Sequence, residues 1–178
     1  MINQKGHLTK LSQAKYHLSN MKQKVKSFPF EKFAFELCAF IEVARSITWA
    51  MQKEYSKKLN FKEWYSKKQE EMSNDSIFKF FKDRRNVIIK EGHPGSNAFT
   101  FYLEMKVSIP PNETVGVILP QGIFTPQEEI KARTTDDKEI PMEKKIIRTP
   151  VFQELQNRHV IEVCEEYLNK IETCVLKT

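Results

Sequence analysis

A mainly α fold, a helical bundle of four to five helices with an inserted β-hairpin between the fourth and last helices, is the class this sequence predicts. Three observations predict it. Up to residue 92 the apolar residues recur every three or four positions, the period of a helix with one buried face. From Phe99 to Ile109 the period drops to two. After Pro150 the helical period returns.

The first helix is predicted from about Gln4 to Lys26, with Leu8, Leu11, Ala14, Leu18, Met21 and Val25 as its apolar stripe. Ser27-Phe28-Pro29 breaks it, and the proline suits the first turn of a second helix over 29–57. That helix carries Leu37, Phe40, Ile41, Ala44, Ile47, Thr48, Met51 and Tyr55 inward. Asn60 and Glu63 have capping-box spacing and open a short third helix with Phe61, Trp64 and Tyr65. Ser73 to Asp75 can cap a fourth helix, which runs to about Glu91 and buries Ile77, Phe78, Phe81, Val87 and Ile88. Gly92-His93-Pro94-Gly95 ends it.

Phe99 to Ile109 then reads as a half-buried strand. Pro110-Pro111-Asn112 turns the chain toward a second strand at Val115 to Leu119, and the two make the expected hairpin. Residues 120–149 read as irregular, with a short strand at Ile146-Ile147. Thr149-Pro150 has the chemistry of a helix start, and Phe152, Leu155, His159, Val160, Val163, Tyr167, Ile171 and Cys174 follow as one stripe. The chain of 178 residues suits a single domain: a helical part over 1–92, the inserted β element and loop over 96–149, and a closing helix over 150–178.

Charged residues make up 29% and apolar residues 40%, enough for a core and against global disorder. No apolar run is long enough to span a membrane and no secretory leader is visible, so a cytoplasmic protein without membrane contact is expected. Cys38, Cys164 and Cys174 are odd in number and widely spaced, which favours reduced thiols over a disulfide framework. The net charge of +6 is concentrated at the start: residues 1–30 hold Lys5, Lys10, Lys15, Lys22, Lys24 and Lys26 and no acid. Such a face either attracts phosphate or simply solvates the outside of a core helix.

Chemistry is sparse. There is no GxxxxGK[ST], GxGxxG, HExxH or GxSxG pattern and no CxxC pair, so no cofactor and no metal site is expected. His7 and His17, ten apart, do not form a ligand pair. Trp49 and Trp64 read as packing residues, with base stacking as the alternative. What stands out is Arg85-Asn86, late in the fourth helix, where a guanidinium and a carboxamide can serve one phosphate.

An Arg-polar pair on a late bundle helix resembles the HEPN superfamily of small helical bundles. The likeness spans residues 30–92 and 150–175 loosely, including Ala44-Arg45-Ser46-Ile47-Thr48 and the Phe61 to Tyr65 segment. The resemblance implies a homodimer that binds RNA or a nucleotide. It also implies a metal-independent endoribonuclease of a bacterial defence or toxin-type system, with an arginine stabilising the anion and a histidine moving protons. The family places that histidine four to six intervening residues after the arginine. Here the two ends of that window hold Lys90 and Gly92, and His93 lies eight residues on from Arg85. A lysine, with a reference pKa of about 10.4, replaces the charge but not the proton shuttle. Arg85, Asn86, Lys90 and His93 are therefore the candidate site, with binding retained and cleavage weakened or lost. The competing expectation is a non-catalytic helical dimer that docks a protein partner.

Overall fold

A computed structural model describes residues 5–25, 31–93, 99–107, 115–118, 131–134, 139–140 and 142–176, with backbone alone over 101–148 and 175–176. Among the described residues five helices appear: α1 (Gly6–Lys24), α2 (Glu31–Tyr55), α3 (Phe61–Asn74), α4 (Ser76–Glu91) and α5 (Val160–Leu176). Between α4 and α5 lie β1 (Thr100–Val107), β2 (Val115–Ile118), β3 (Lys131–Thr134), β4 (Glu139–Ile140), β5 (Met142–Phe152) and β6 (Arg158–His159). The chain divides into two compact units: Met1–Thr100 with Pro150–Thr178, and Phe101–Thr149.

In the helical unit, α1 and α2 pack antiparallel. His7, at the start of α1, meets Glu54 near the end of α2, and His17 and Lys24 meet Glu36 near its start. Leu11, Ala14, Leu18 and Met21 face Phe33, Leu37, Phe40, Ile41, Ala44, Ile47 and Met51, all buried; Phe33 adds to the expected stripes, and Leu8 and Val25 are only half-buried. The centre of the unit is aromatic. Phe81 stacks on Tyr167 with centroids 4.1 Å apart, Phe78 meets Tyr167 edge-on at 5.2 Å, and Phe80 meets Phe152 at 4.8 Å. Burying each such side chain stabilises the fold by about 1.5–3 kcal/mol.

The ends of α4 follow from local chemistry. Asp75 Oδ1 accepts from the backbone N–H of Ile77 at 2.8 Å and of Phe78 at 3.1 Å. Gly92 closes the helix at φ 74°, its N–H donating to the Ile88 carbonyl, a conformation that favours glycine. Asn60 departs from the capping-box expectation. Its backbone is left-handed at φ 62°, and its side chain makes no cap bond to α3. That helix is also longer than expected, at 14 residues.

The start of α5 is the larger correction. Thr149 and Pro150 lie in β5 rather than capping a helix, and α5 begins ten residues later at Val160. Between them the chain makes a 3-10 turn at Gln153–Leu155 and then two consecutive left-handed residues, Gln156 and Asn157. This turn sends Arg158 back to pair with Phe152, and His159 with Val151. The physical reason is Phe152, buried against Phe80 and Phe81 from the end of a strand. His159 is not a core histidine on the helix. Its Nδ1 accepts from the Ile161 N–H at 3.1 Å and caps α5.

The inserted β element is present, but its pairing differs from the expected hairpin. The described strands form two sheets, β1–β5–β6 and β2–β3–β4, so β1 pairs with β5 and β2 pairs with β3. The register Val115 to Thr134 and Ile118 to Lys131 makes β2–β3 the hairpin. Residues 120–149 are thus not irregular throughout, since they supply β3, β4 and most of β5. The expected turn at Pro110-Pro111-Asn112 lies outside the described residues.

Candidate nucleic-acid interface

The N-terminal lysines are largely spent on the fold. Lys15 pairs with Glu172 at 2.7 Å, Lys22 with Glu165 at 2.5 Å and Lys24 with Glu36 at 2.5 Å, while Lys5 donates to the Tyr55 hydroxyl. They fasten α1 to α5 and α2. Of the two readings of that charge, the solvated outer face of a core helix fits.

One group of cations lines a cavity where α2, α3 and α4 meet. On α2, Arg45, Thr48, Trp49 and Gln52 fall at spacings of three and four and so share a face. On α4, Lys79 and Lys82 present the matching row. With Tyr65, Gln69 and Ser73 from α3 they line a cavity of about 300 Å³ that has no carboxylate in its wall. Lys79 and Lys82 are exposed, and neither they nor Arg45 form an ion pair among the described residues.

Arg85 continues the α4 row. Its guanidinium carbon lies 4.4 Å from the centroid of the Trp49 ring, a cation–π contact across the two helices. Below them is Tyr167, wholly buried at the heart of the aromatic cluster. Burial pushes its phenol well above the ordinary value, with the guanidiniums of Arg45 and Arg85 pulling the other way. Arg45 sits beside the hydroxyl without reaching hydrogen-bond geometry. Among the described residues, the buried side-chain polar atoms left without a hydrogen bond are Arg45 Nε, Arg85 Nε and Tyr167 Oη. All three belong to this one corner. A neutral phenol does not cancel two cations, so the corner keeps its positive charge.

The four residues singled out from sequence are not drawn into one contact. Arg85 is half-buried and turned toward α2, whereas Asn86, Lys90 and His93 are exposed. Asn86 and Lys90, four apart, share a helix face from which Arg85 is rotated by about 100° or more. His93 Nε2 lies 3.8 Å from the Glu91 carboxylate. The neighbouring Arg84 is the buried arginine, at 8% exposure; it pairs with Glu154 and lies over Phe80. Sequence reasoning missed Arg84, Lys79 and Lys82, and read Trp49 as packing although half of it is open to solvent. The signal was there. Position 84 falls on the stripe of Ile77, Phe80, Phe81 and Ile88, so it points to the core, while 79, 82 and 85/86 mark the adjoining face.

A larger cavity, about 610 Å³, opens beyond Phe78 and Met72 between α3, α4 and α5. Its wall carries Glu71, Asp75, Glu162, Glu165 and Glu166 against a single lysine, Lys170, and its field repels anions. Among the described residues no group of three or more His, Cys, Asp or Glu is placed to hold a metal ion. No described helix is long and apolar enough to cross a membrane. Cys38 and Cys164 are thiols outside any disulfide. Burial raises Cys164 well above its usual value and pushes Cys38 up to about 11, so neither is disposed to act as a thiolate.

No curated protein and no solved structure matches the chain. Residues 14–140, about seven-tenths of the sequence, match the family model of bacteriophage lambda protein ea47, from α1 through β4, and the chain belongs to that family.

Proposed function

We propose that this protein binds RNA or a nucleotide on the face shared by α2 and α4, as a HEPN-like bundle in which cleavage is weakened or lost. The observation that carries the reading is the α2–α3–α4 cavity, where Arg45, Lys79 and Lys82 stand without a lining carboxylate. Lys15, Lys22, Arg84, Arg158 and Lys170 are each tied to an acid, and other lysines such as Lys57 and Lys62 lie outside the cavity wall. A cationic wall of this kind holds phosphate by charge and by charge-assisted hydrogen bonds. The resemblance to HEPN proteins directs attention to the same face, through Arg85 on α4 and Arg45 on α2.

Catalysis fits the geometry less well. A metal-independent ribonuclease needs a proton-transferring group beside its arginine. Here Lys90 occupies the place of a histidine, His93 is turned out beside Glu91, and Arg85 is engaged with Trp49. In this reading the protein acts in the cytoplasm as a homodimer, in a phage setting of the defence or toxin type, with binding as its retained chemistry.

The test is binding of labelled RNA at low salt, by wild type and by Arg45→Gln, with cleavage followed in the presence of a chelator. Binding that weakens steeply with salt and in the variant supports the reading. Equal and negligible binding by both proteins contradicts it. A second reading, a non-catalytic module that docks a protein partner, draws on Phe35 and Ile89, large apolar side chains 69% and 58% exposed on α2 and α4. It would gain if RNA fails to bind.

A further inference from the structure

An indole has two faces, and Arg85 covers one face of Trp49. Arg85 lies over the ring at 4.4 Å, yet Trp49 remains 49% exposed. Tyr16 and Phe35 are also exposed but take no part in the wall of the basic cavity; Phe61, Trp64 and Tyr65 lean on one another, and Phe78, Phe80 and Phe81 fill the core with Tyr167 and Phe152. Trp49 alone stands in the wall of the basic cavity with much of its surface open.

We infer that Trp49 is a stacking platform for one unpaired nucleobase, held flat by Arg85 beneath it, with the attached phosphate on Arg45, Lys79 and Lys82. The inference rests on the phosphate-binding reading above and sharpens it, from anions in general to single-stranded nucleic acid or a free nucleotide.

Three features support it. A guanidinium on one face and a base on the other is an arrangement in which both partners meet the negative π surface of the indole, so the two contacts are compatible. Gln52 and Gln69 line the same cavity, and a carboxamide offers both a donor and an acceptor to a base edge. The volume, about 300 Å³, is at the low end of the range of roughly 300–1,000 Å³ for small-ligand pockets and suits one nucleotide rather than a helix. A duplex keeps its bases stacked on each other and cannot lend a ring face to Trp49.

Arg85 takes a different role here from the one its motif implies. Its Nε is buried and its guanidinium faces the indole, so it positions Trp49 more than it grips phosphate.

The experiment uses the Trp64→Phe background, in which Trp49 is the remaining tryptophan of the chain. Its fluorescence is titrated with a short oligoadenylate, with an abasic ribose-phosphate oligomer of equal length, and with duplex RNA. The expected result is quenching by oligoadenylate and weaker binding of the abasic oligomer and duplex. Read by anisotropy of labelled oligomers, because it lacks the reporter tryptophan, Trp49→Ala should weaken oligoadenylate binding about 5- to 140-fold, the range that base stacking spans, with a much smaller loss for the abasic oligomer. Trp49→Phe should restore most of the binding, and circular dichroism checks that each variant folds. Oligoadenylate and abasic oligomer binding equally well, or Trp49→Ala binding oligoadenylate like its parent, would overturn the inference while leaving phosphate binding in place. Failure of every probe to bind at low salt would overturn both.

Discussion

Replacing Lys79 and Lys82 by glutamine removes two of the three cations from the α2–α3–α4 cavity and leaves the bundle intact, because both side chains are exposed. The consequence can be worked out. A protein that neutralises Z phosphates of a single strand loses affinity with a slope of about −0.7Z in log K against log salt. With Arg45, Lys79 and Lys82 on phosphate the slope is about −2.1, and in the double variant about −0.7. Between about 50 and 200 mM salt the wild type then weakens by roughly 18-fold and the variant by roughly threefold. Fluorescence anisotropy with a labelled single-stranded RNA, repeated across that range, reads both numbers. Thermal melting confirms that the two proteins are equally folded. Parallel slopes for the two proteins would refute the reasoning, since the phosphates would then be neutralised elsewhere.

Other expectations follow from the same geometry. Arg85→Ala should weaken single-strand binding several-fold yet leave the salt slope close to wild type, because the guanidinium bears on Trp49 rather than on phosphate; anisotropy at several salt concentrations separates the two effects. Asp75→Ala strips α4 of its N-cap and Lys170 of its partner, and should lower stability by about 0.5–2 kcal/mol, measured by denaturant unfolding. For acid unfolding, burial acting alone would raise the carboxyls of Glu36, Glu54 and Asp75. Bonds from Lys24, His17 and Asn20 to Glu36, from His7 to Glu54, and from Lys170 and the α4 amides to Asp75 outweigh it and hold all three below their ordinary values. Their stabilisation is complete above the ordinary values of 4.5 for glutamate and 3.8 for aspartate and is lost as pH falls through the depressed native ones. Unfolding followed from pH 7 downward should therefore stay level to about pH 4.5 and steepen below it, and Glu36→Gln should flatten that fall.

What the sequence made legible was local. Asp75 and Gly92 bound α4 through bonds to residues two to four positions away, so their chemistry can be read from a short window. The stripes of α1 and α2 are likewise set by period alone. Apart from the missing Asn60 cap on α3, a local departure, the failures are matters of distant partners. Thr149-Pro150 looks like a helix start in isolation. Only the burial of Phe152 against Phe80 and Phe81, some seventy residues earlier, keeps the chain extended there. Strand pairing failed for the same reason, since β1 joins β5 across the whole insert and nothing near Val107 announces it.

The site shows the same division. In sequence Arg85 stands out for its neighbour Asn86, but its contact in space is Trp49 on another helix. Arg45, Lys79 and Lys82 become a group only when α2 and α4 are laid side by side. The six N-terminal lysines, conspicuous in sequence, lose that prominence once Glu36, Glu165 and Glu172 are seen to meet three of them.

Photo-crosslinking of the protein to single-stranded RNA at low salt, followed by identification of the linked peptides, tests the central claim most directly. The account predicts adducts in the α2 segment that carries Arg45 and Trp49 and in the α4 segment that carries Lys79, Lys82 and Arg85. Adducts confined to α1 or to the β strands, or none at all, would contradict it.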